Sequence, residues 1–303
     1  MNLSRKLTVL RKTFRNYLAV GWKLKVSKPD EIQVVLKSGL KCVLYRYQVY
    51  MLLEFVNKGE DADEVLKYML QERIPYKGSA IVMHGWVLPG NRDNGNLLDV
   101  FINEDYRFLN VKDKDVIDIG ASIGDSAIYF AYNGAKKVIA LEPYPYSFNF
   151  AVRNVKDNNL DEKVILLNAG YGKDGKLVVD DNLVSNAGMD LKDSEKGKSI
   201  RIYSLKSLLS EFNLNGNLML KMDCEGCEYN LLNEEDQILA NFSKIQIEYH
   251  YGYQRLVDKL RMAGFEVKFT DPTKSRNRCA SRMNMLSGYI YASKPTLPWS
   301  APP

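Results

Sequence analysis

The sequence predicts an α/β fold. It is expected to be a mostly parallel, seven-stranded Rossmann-like sheet with helices on both faces and an antiparallel last strand, preceded by a small N-terminal helical and β-hairpin region. Three observations carry this expectation. From residue 111 onward, short apolar runs alternate with helical patterns, as in a parallel sheet wrapped by helices. The run Asp115-Val-Ile-Asp118-Ile-Gly120-Ala-Ser-Ile-Gly124-Asp125-Ser126 reads as a buried strand, a glycine turn and a helix start. Leu141-Glu142-Pro143 then reads as the end of a second strand, closed by a carboxylate.

In chain order, Leu3, Leu7, Leu10, Phe14 and Tyr17 recur at helix spacing, with Arg5, Lys6, Arg11, Lys12 and Arg15 between them. This basic amphipathic helix either docks its apolar stripe on the protein or makes weak membrane-surface contact through residues 3–17. Residues 31–37 and 40–45 around Ser38-Gly39 predict a β-hairpin. Helices are expected at 49–57 and 61–73, stopped by Pro75. Short strands joined by a turn at 90–96 are expected over 80–108.

The main domain is expected at 111–295, after an N-terminal region at 1–110 and before a tail at 296–303. Its strands are expected at 116–119, 137–141, 164–168, 218–222, 245–249, 265–269 and 286–292, with a strand-like excursion at 174–179. Helices are expected at 125–132, 147–158, 203–212, 253–263 and from 229. The last strand follows its neighbour without a helix, so it should run antiparallel. Residues 180–197 read as a polar loop.

Four cysteines in 303 residues argue against a disulfide framework and for a reducing compartment. No window approaches a membrane span, and the spaced apolar residues of the N-terminus do not form a signal peptide, so the expected location is cytoplasmic. The net charge of +5 is local: residues 1–29 hold eight Lys or Arg and no acid, leaving 34 basic against 37 acidic residues elsewhere.

The glycine turn and Glu142 suit an adenosine-containing cofactor, because a carboxylate there accepts both ribose hydroxyls. A dinucleotide fingerprint needs a middle glycine against the pyrophosphate, and Ser122 stands in that place. Asp118, two residues before the turn, suits a cationic ligand better than a pyrophosphate. S-adenosylmethionine carries a sulfonium and no phosphate, so these residues favour a methyl donor over a nicotinamide. An ordinary ligand-free strand–turn–helix explains the glycines but not the acids at two strand ends.

A second constellation, Lys221-Met-Asp223-Cys224-Glu225-Gly226-Cys227-Glu228, closes the buried run Leu218–Met222. Ligands of open parallel sheets bind beyond the carboxyl ends of the strands, so Asp223 should share a rim with Gly120 and Glu142. Ile247-Glu248-Tyr249-His250 delivers a carboxylate and an imidazole to the same rim.

These blocks, with Glu142-Pro-Tyr-Pro, Asn154, Asn158 and Asn168-Ala169, resemble the FkbM-type methyltransferase family over roughly residues 112–292. The resemblance implies a class I S-adenosylmethionine-dependent fold and, commonly, O-methylation of sugars or other hydroxylated small molecules. It implies that Asp118, Gly120, Ala121, Ser122, Gly124, Ser126, Glu142 and Pro143 hold the cofactor. Asn168 and Ala169 would border the adenine, and Asp223 with its acidic turn would line the active site. Cys224 and Cys227 stand where the family has small apolar residues, and Lys206 where an acid is frequent. The first 110 residues do not match clearly.

His250 is the first candidate for the base that takes the acceptor's proton, and Asp223 the second, with Glu225 and Glu248 beside them. Glu225 and Glu228 also suit a helix start. Asp223, Glu225 and Glu248 have the oxygen chemistry for magnesium, yet no stable metal is expected. The spacing of Cys224 and Cys227 suggests zinc or redox chemistry, but they lack the further pair that zinc needs and the thioredoxin-like helix start of a redox pair, and read as packing residues. His84 reads as structural, with no partner evident. The loop at 271–284, with Lys274, Arg276, Arg278 and Arg282, is either solvated or a basic guard for an acidic substrate.

The rivals are an RNA methyltransferase using the basic helix and loop, a nicotinamide-dependent oxidoreductase, and a non-catalytic membrane-associated scaffold. No RNA-binding motif supports the first.

Overall fold

The structure, a computed structural model, describes residues 3–26, 31–85, 97–180, 196–274 and 286–295. The chain divides into two compact units, Met1–Asn103 and Glu104–Pro303. The expected turn at 90–96, the tail and most of the basic loop at 271–284 lie outside the described residues, as do 181–195.

In the first unit, α1 (Leu3–Thr13) and α2 (Tyr17–Lys25) precede an antiparallel hairpin of β1 (Glu31–Val35) and β2 (Lys41–Tyr45). α3 (Arg46–Asn57) and α4 (Ala62–Leu70) follow, then a hairpin of β3 (Arg73–Tyr76) and β4 (Ser79–Val82). The predicted N-terminal stripe is broken after Thr13, where Phe14 pairs with Leu36 as a β-bridge. Leu10 and Phe14 are buried, whereas Leu7 is 53% exposed. α1 docks on α3: Arg5 Nε donates to Asn57 Oδ1, and Lys6 Nζ lies over the Tyr50 ring. The start of α4 is fixed by Asp61, whose carboxylate accepts from the N–H groups of Asp63 and Glu64.

Strands expected near residues 97–108 are instead helical turns, one of π type at Leu98–Asn103 and one of 3-10 type at Asp105–Leu109. Their β-branched and aromatic content imitates a strand, but Val100, Phe101 and Ile102 are all buried in succession. Glu104 and Asn110, both at positive φ, break the chain on either side of the second turn.

The second unit contains β5 (Asp115–Ile119), α5 (Asp125–Tyr132), β6 (Lys137–Leu141), α6 (Pro145–Asp157), β7 (Val164–Leu167), β8 (Ala169–Tyr171), β9 (Gly175–Val179) and β10 (Lys198–Tyr203). It continues through α7 (Leu205–Glu211), β11 (Leu218–Met222), α8 (Asp236–Leu239), β12 (Phe242–Tyr249), α9 (Gln254–Met262), β13 (Glu266–Phe269), β14 (Thr273–Lys274) and β15 (Leu286–Ser293). The main sheet runs β13-β15-β12-β11-β5-β6-β7, with β14 paired to β15 off that path. β12, β11, β5, β6 and β7 are mutually parallel, and β15 runs antiparallel to both β12 and β13. This is the expected architecture, antiparallel last strand included.

β8, β10 and β9 form a separate three-stranded sheet in that order. β10 falls outside the expected strands, although Ile200 and Ile202 share one packed face while Ser199 and Arg201 between and beside them are exposed, as in a half-buried strand.

The central strands are apolar on both sides because helices cover both faces. Ile117, Ile119, Ile139, Leu141, Leu220, Met222, Ile245 and Ile247 are buried together. Register then positions the functional loops: Ile119 pairs with both Met222 and Leu141, so the segments beginning at Gly120, Asp223 and Glu142 leave the sheet side by side.

Candidate active site

The first glycine is required by its neighbour across the sheet. Gly120 has φ +84, and a Cβ there would lie 1.9 Å from the carbonyl oxygen of Asp223. The turn after β5 and the turn after β11 are thus in backbone contact. The bare Cα of Gly124 also lets α6 close in, since a Cβ would stand 3.2 Å from Ala151 Cα.

Asp118 does not face the rim as a free anion, which corrects the expectation of a direct partner for a cationic ligand. It is fully buried, accepts from Ser126 Oγ at 2.6 Å, and lies 3.2 Å from Lys221 Nζ. Lys221 also donates to the carbonyl oxygen of Gly120 at 2.7 Å. Burial alone would depress the Lys221 ammonium, but Asp118, Asp223 and Asp125 outweigh it and hold the pKa above its ordinary value. The sequence offered Lys221 only as part of an apolar strand. A lysine within such a run was the available signal.

Glu142 organises the cofactor turn. Its two oxygens accept from the N–H groups of Ser122 and Tyr144, at 2.8 and 2.9 Å. Burial pushes its pKa up to about 8 against the pull of those donors. Asn168 Nδ2 donates to the carbonyl oxygens of Glu142 and Pro143, both at 3.0 Å. Asn168 Oδ1 is buried with no hydrogen-bond partner among the described residues. Ala121 and Ala169 are buried alongside.

The candidate catalytic residues Asp223, Glu225, Glu248 and His250 converge. His250 Nε2 lies 3.3 Å from Glu225 and 4.0 Å from Glu248, while Nδ1 lies 2.9 Å from Glu228, a carboxylate with no exposure. Burial would lower the imidazole pKa, but the Glu228 bond and the charges of Glu225, Glu228 and Asp223 raise it to about 10. These contacts favour the charged imidazolium, which weighs against His250 as the base. Sequence alone could not reveal that Glu228 turns inward to meet it.

Asp223, the second choice, accepts from Tyr106 Oη at 3.3 Å. Tyr106 was missed, because it lies in the helical turn read as a strand. Burial, Asp223 and His250 act on Glu248 together, and the net direction is upward, with burial the main cause. Ligand atoms of Asp223, Glu225 and His250 lie within 4.8 Å of one another, but a charged imidazolium held by Glu228 offers no lone pair to a cation.

Two further expectations change. Cys224 and Cys227 are joined in a disulfide and are not packing thiols. His84 has a partner, Glu72, which meets its Nδ1. No helix among the described residues is long and apolar enough to cross a membrane.

Residues 118–267 match the sequence model of the methyltransferase FkbM domain. A provisionally named protein N5-glutamine methyltransferase of Methanocaldococcus jannaschii is 40% identical over 53 residues. That stretch is 18% of this chain and 27% of the relative, so the chain spans about a quarter of the length of the curated protein it matches. An rRNA methylase from Streptococcus thermophilus superposes with a TM-score of 0.40 at 12% identity, over 65% of this chain and 96% of that one. TYW2 of M. jannaschii, solved in complex with AdoMet, superposes with a TM-score of 0.38 at 17% identity, over 73% of this chain and 84% of that one.

Proposed function

We propose that this chain, whose residues 118–267 belong to the FkbM methyltransferase family, is an S-adenosylmethionine-dependent enzyme that methylates a hydroxyl group on a sugar-like small molecule. The observation that carries the reading is the backbone contact of Gly120 with Asp223, which joins the cofactor turn to the acidic turn.

The residues fit the cofactor. Each Glu142 oxygen keeps a lone pair beyond its backbone donor, enough for one ribose hydroxyl apiece. The orphaned Asn168 Oδ1 suits an amino group such as that of adenine. S-adenosylmethionine supplies an activated methyl group when bound.

The protein's part is to align the acceptor oxygen, exclude water and remove a proton. Asp223 takes that proton as the new carbon–oxygen bond forms. The Tyr106 hydroxyl donates to that carboxylate, and the Lys221 ammonium is near enough to feel its charge. His250, charged and doubly held, balances the acids around it and orients Glu225 and Glu248.

The test is an acceptor screen with labelled S-adenosylmethionine over sugars, glycolipid head groups, RNA and glutamine-containing peptides, followed by product mass spectrometry. Transfer to a hydroxyl of a saccharide supports the reading. Label found only on RNA or on a glutamine side-chain nitrogen replaces it. A thermal shift with NAD and none with S-adenosylmethionine ends it.

A further inference from the structure

We propose that Cys224 and Cys227 form a reversible thiol–disulfide site that sets the shape of the acidic turn, and through it the rate of methyl transfer. The inference rests on the methyltransferase reading above for its kinetic part only. The two sulfurs are bonded and both residues are half-buried, so a small reductant can reach them.

The ring they close contains Glu225 and Gly226 and is flanked by Asp223 and Glu228. Inside it Glu225 sits at φ 56 and Gly226 at φ 129. A non-glycine residue stays in the left-handed region only where its surroundings hold it there. The ring closed by the disulfide encloses this residue, and the Glu225 carboxylate stands 3.3 Å from His250 Nε2. The N–H of Gly226 also donates to Glu228 Oε2 at 2.8 Å, and the other Glu228 oxygen holds His250 Nδ1. One bond therefore clips together both carboxylates that grip the imidazole.

Reduction is thiol–disulfide exchange. A dithiol gives two electrons and two protons, its own sulfurs join, and Cys224 and Cys227 emerge as thiols. With the ring open, Glu225 relaxes toward negative φ and its carboxylate leaves His250. Glu142 and Asn168 are held by hydrogen bonds outside the ring and stay in place. The reduced enzyme then binds cofactor as before and turns over more slowly.

The test uses the full chain with Cys42→Ser and Cys279→Ser, which removes the other two cysteines. Alkylation of the unfolded protein before and after dithiothreitol, read by intact mass, should count no thiols and then two. Reduction should lower kcat by about fivefold or more, as released backbone strain implies, and re-oxidation should restore it. Cofactor Kd should stay within about twofold, since its binding groups lie outside the ring. Adding Cys224→Ser should fix the low rate whatever the reductant.

One of the two histidine ring signals in the proton NMR spectrum should move on reduction. That readout needs no acceptor, so a failed acceptor screen leaves this question decided on its own. Two thiols before reduction would overturn the proposal. So would complete reduction with an unmoved histidine signal, or with a rate that is unchanged or higher.

Discussion

Lys221 Nζ and Asp118 Oδ1 stand 3.2 Å apart with both side chains almost wholly withdrawn from water. Removing one member of such a pair strands the other charge in the core. Lys221→Met should therefore destabilise the protein by about 3–5 kcal/mol. Lys221→Met with Asp118→Asn should recover part of that loss, because Asp118 no longer carries a bare charge while Asp223 and Asp125 still lose their cation. Denaturant unfolding of both variants measures the difference, and equal losses in the two would mean the pair is not coupled.

Cofactor affinity should depend on pH through Glu142. Burial raises its pKa to about 8, so below that value the carboxyl carries a proton. Ribose hydroxyls bind the ionised acceptor better, so affinity should climb between pH 6.5 and 8.5 and then level off. Glu142→Gln should flatten the profile and weaken binding by about 10–100-fold, the worth of one charged hydrogen bond. Calorimetric titration across that range checks both statements.

His250 should matter to stability as well as to turnover. Its folded pKa of about 10 lies above the ordinary 6.5. The stability it contributes is therefore complete below about pH 6.5 and is lost as pH rises through 10. His250→Ala leaves Glu228 buried without its cation and should cost about 3–5 kcal/mol at pH 7. Thermal melts from pH 6 to 10 should show a shallower decline in the variant than in the parent.

Asp223→Asn should lower kcat by about 10²–10⁴-fold with little change in cofactor Kd, as expected for loss of a proton acceptor. Tyr106→Phe, which removes one donor to that carboxylate, should lower kcat by a smaller factor. Steady-state kinetics with the acceptor found in the screen, set beside direct binding of the cofactor, separates the two effects. A large rise in Kd for Asp223→Asn would make it a binding residue instead.

Gly120→Ala should be among the most disruptive single substitutions in the domain. The added carbon meets a main-chain oxygen that has no rotamer to move away. Adding a strained φ of +84 makes a loss of at least about 3 kcal/mol the expected result. Failure of the variant to melt earlier than the parent would contradict the contact.

The sheet was legible because its central strands are buried on both sides, which leaves runs such as Leu218–Met222 apolar almost throughout. The acids that end those strands were legible for the same reason, since a carboxylate interrupts an apolar run visibly. What could not be read was pairing. Nothing in the spelling of Asp118 or Lys221 says that each satisfies the other, and nothing in His250 announces three carboxylates around it. The helical turn carrying Tyr106 was misread because its composition mimics a strand. The Cys224–Cys227 bond is not legible in the sequence, because the same spacing serves two packing thiols and only the turn's geometry brings the sulfurs together.

β15 lies between β12 and β13 rather than at the margin. During synthesis the ribosome releases both flanking strands well before the one that separates them. Until residues 286–293 emerge, β12 and β13 have unsatisfied edges facing each other across a gap one strand wide. A nascent chain stalled before that point would present a sticky margin to chaperones, and only the arrival of β15 seals it.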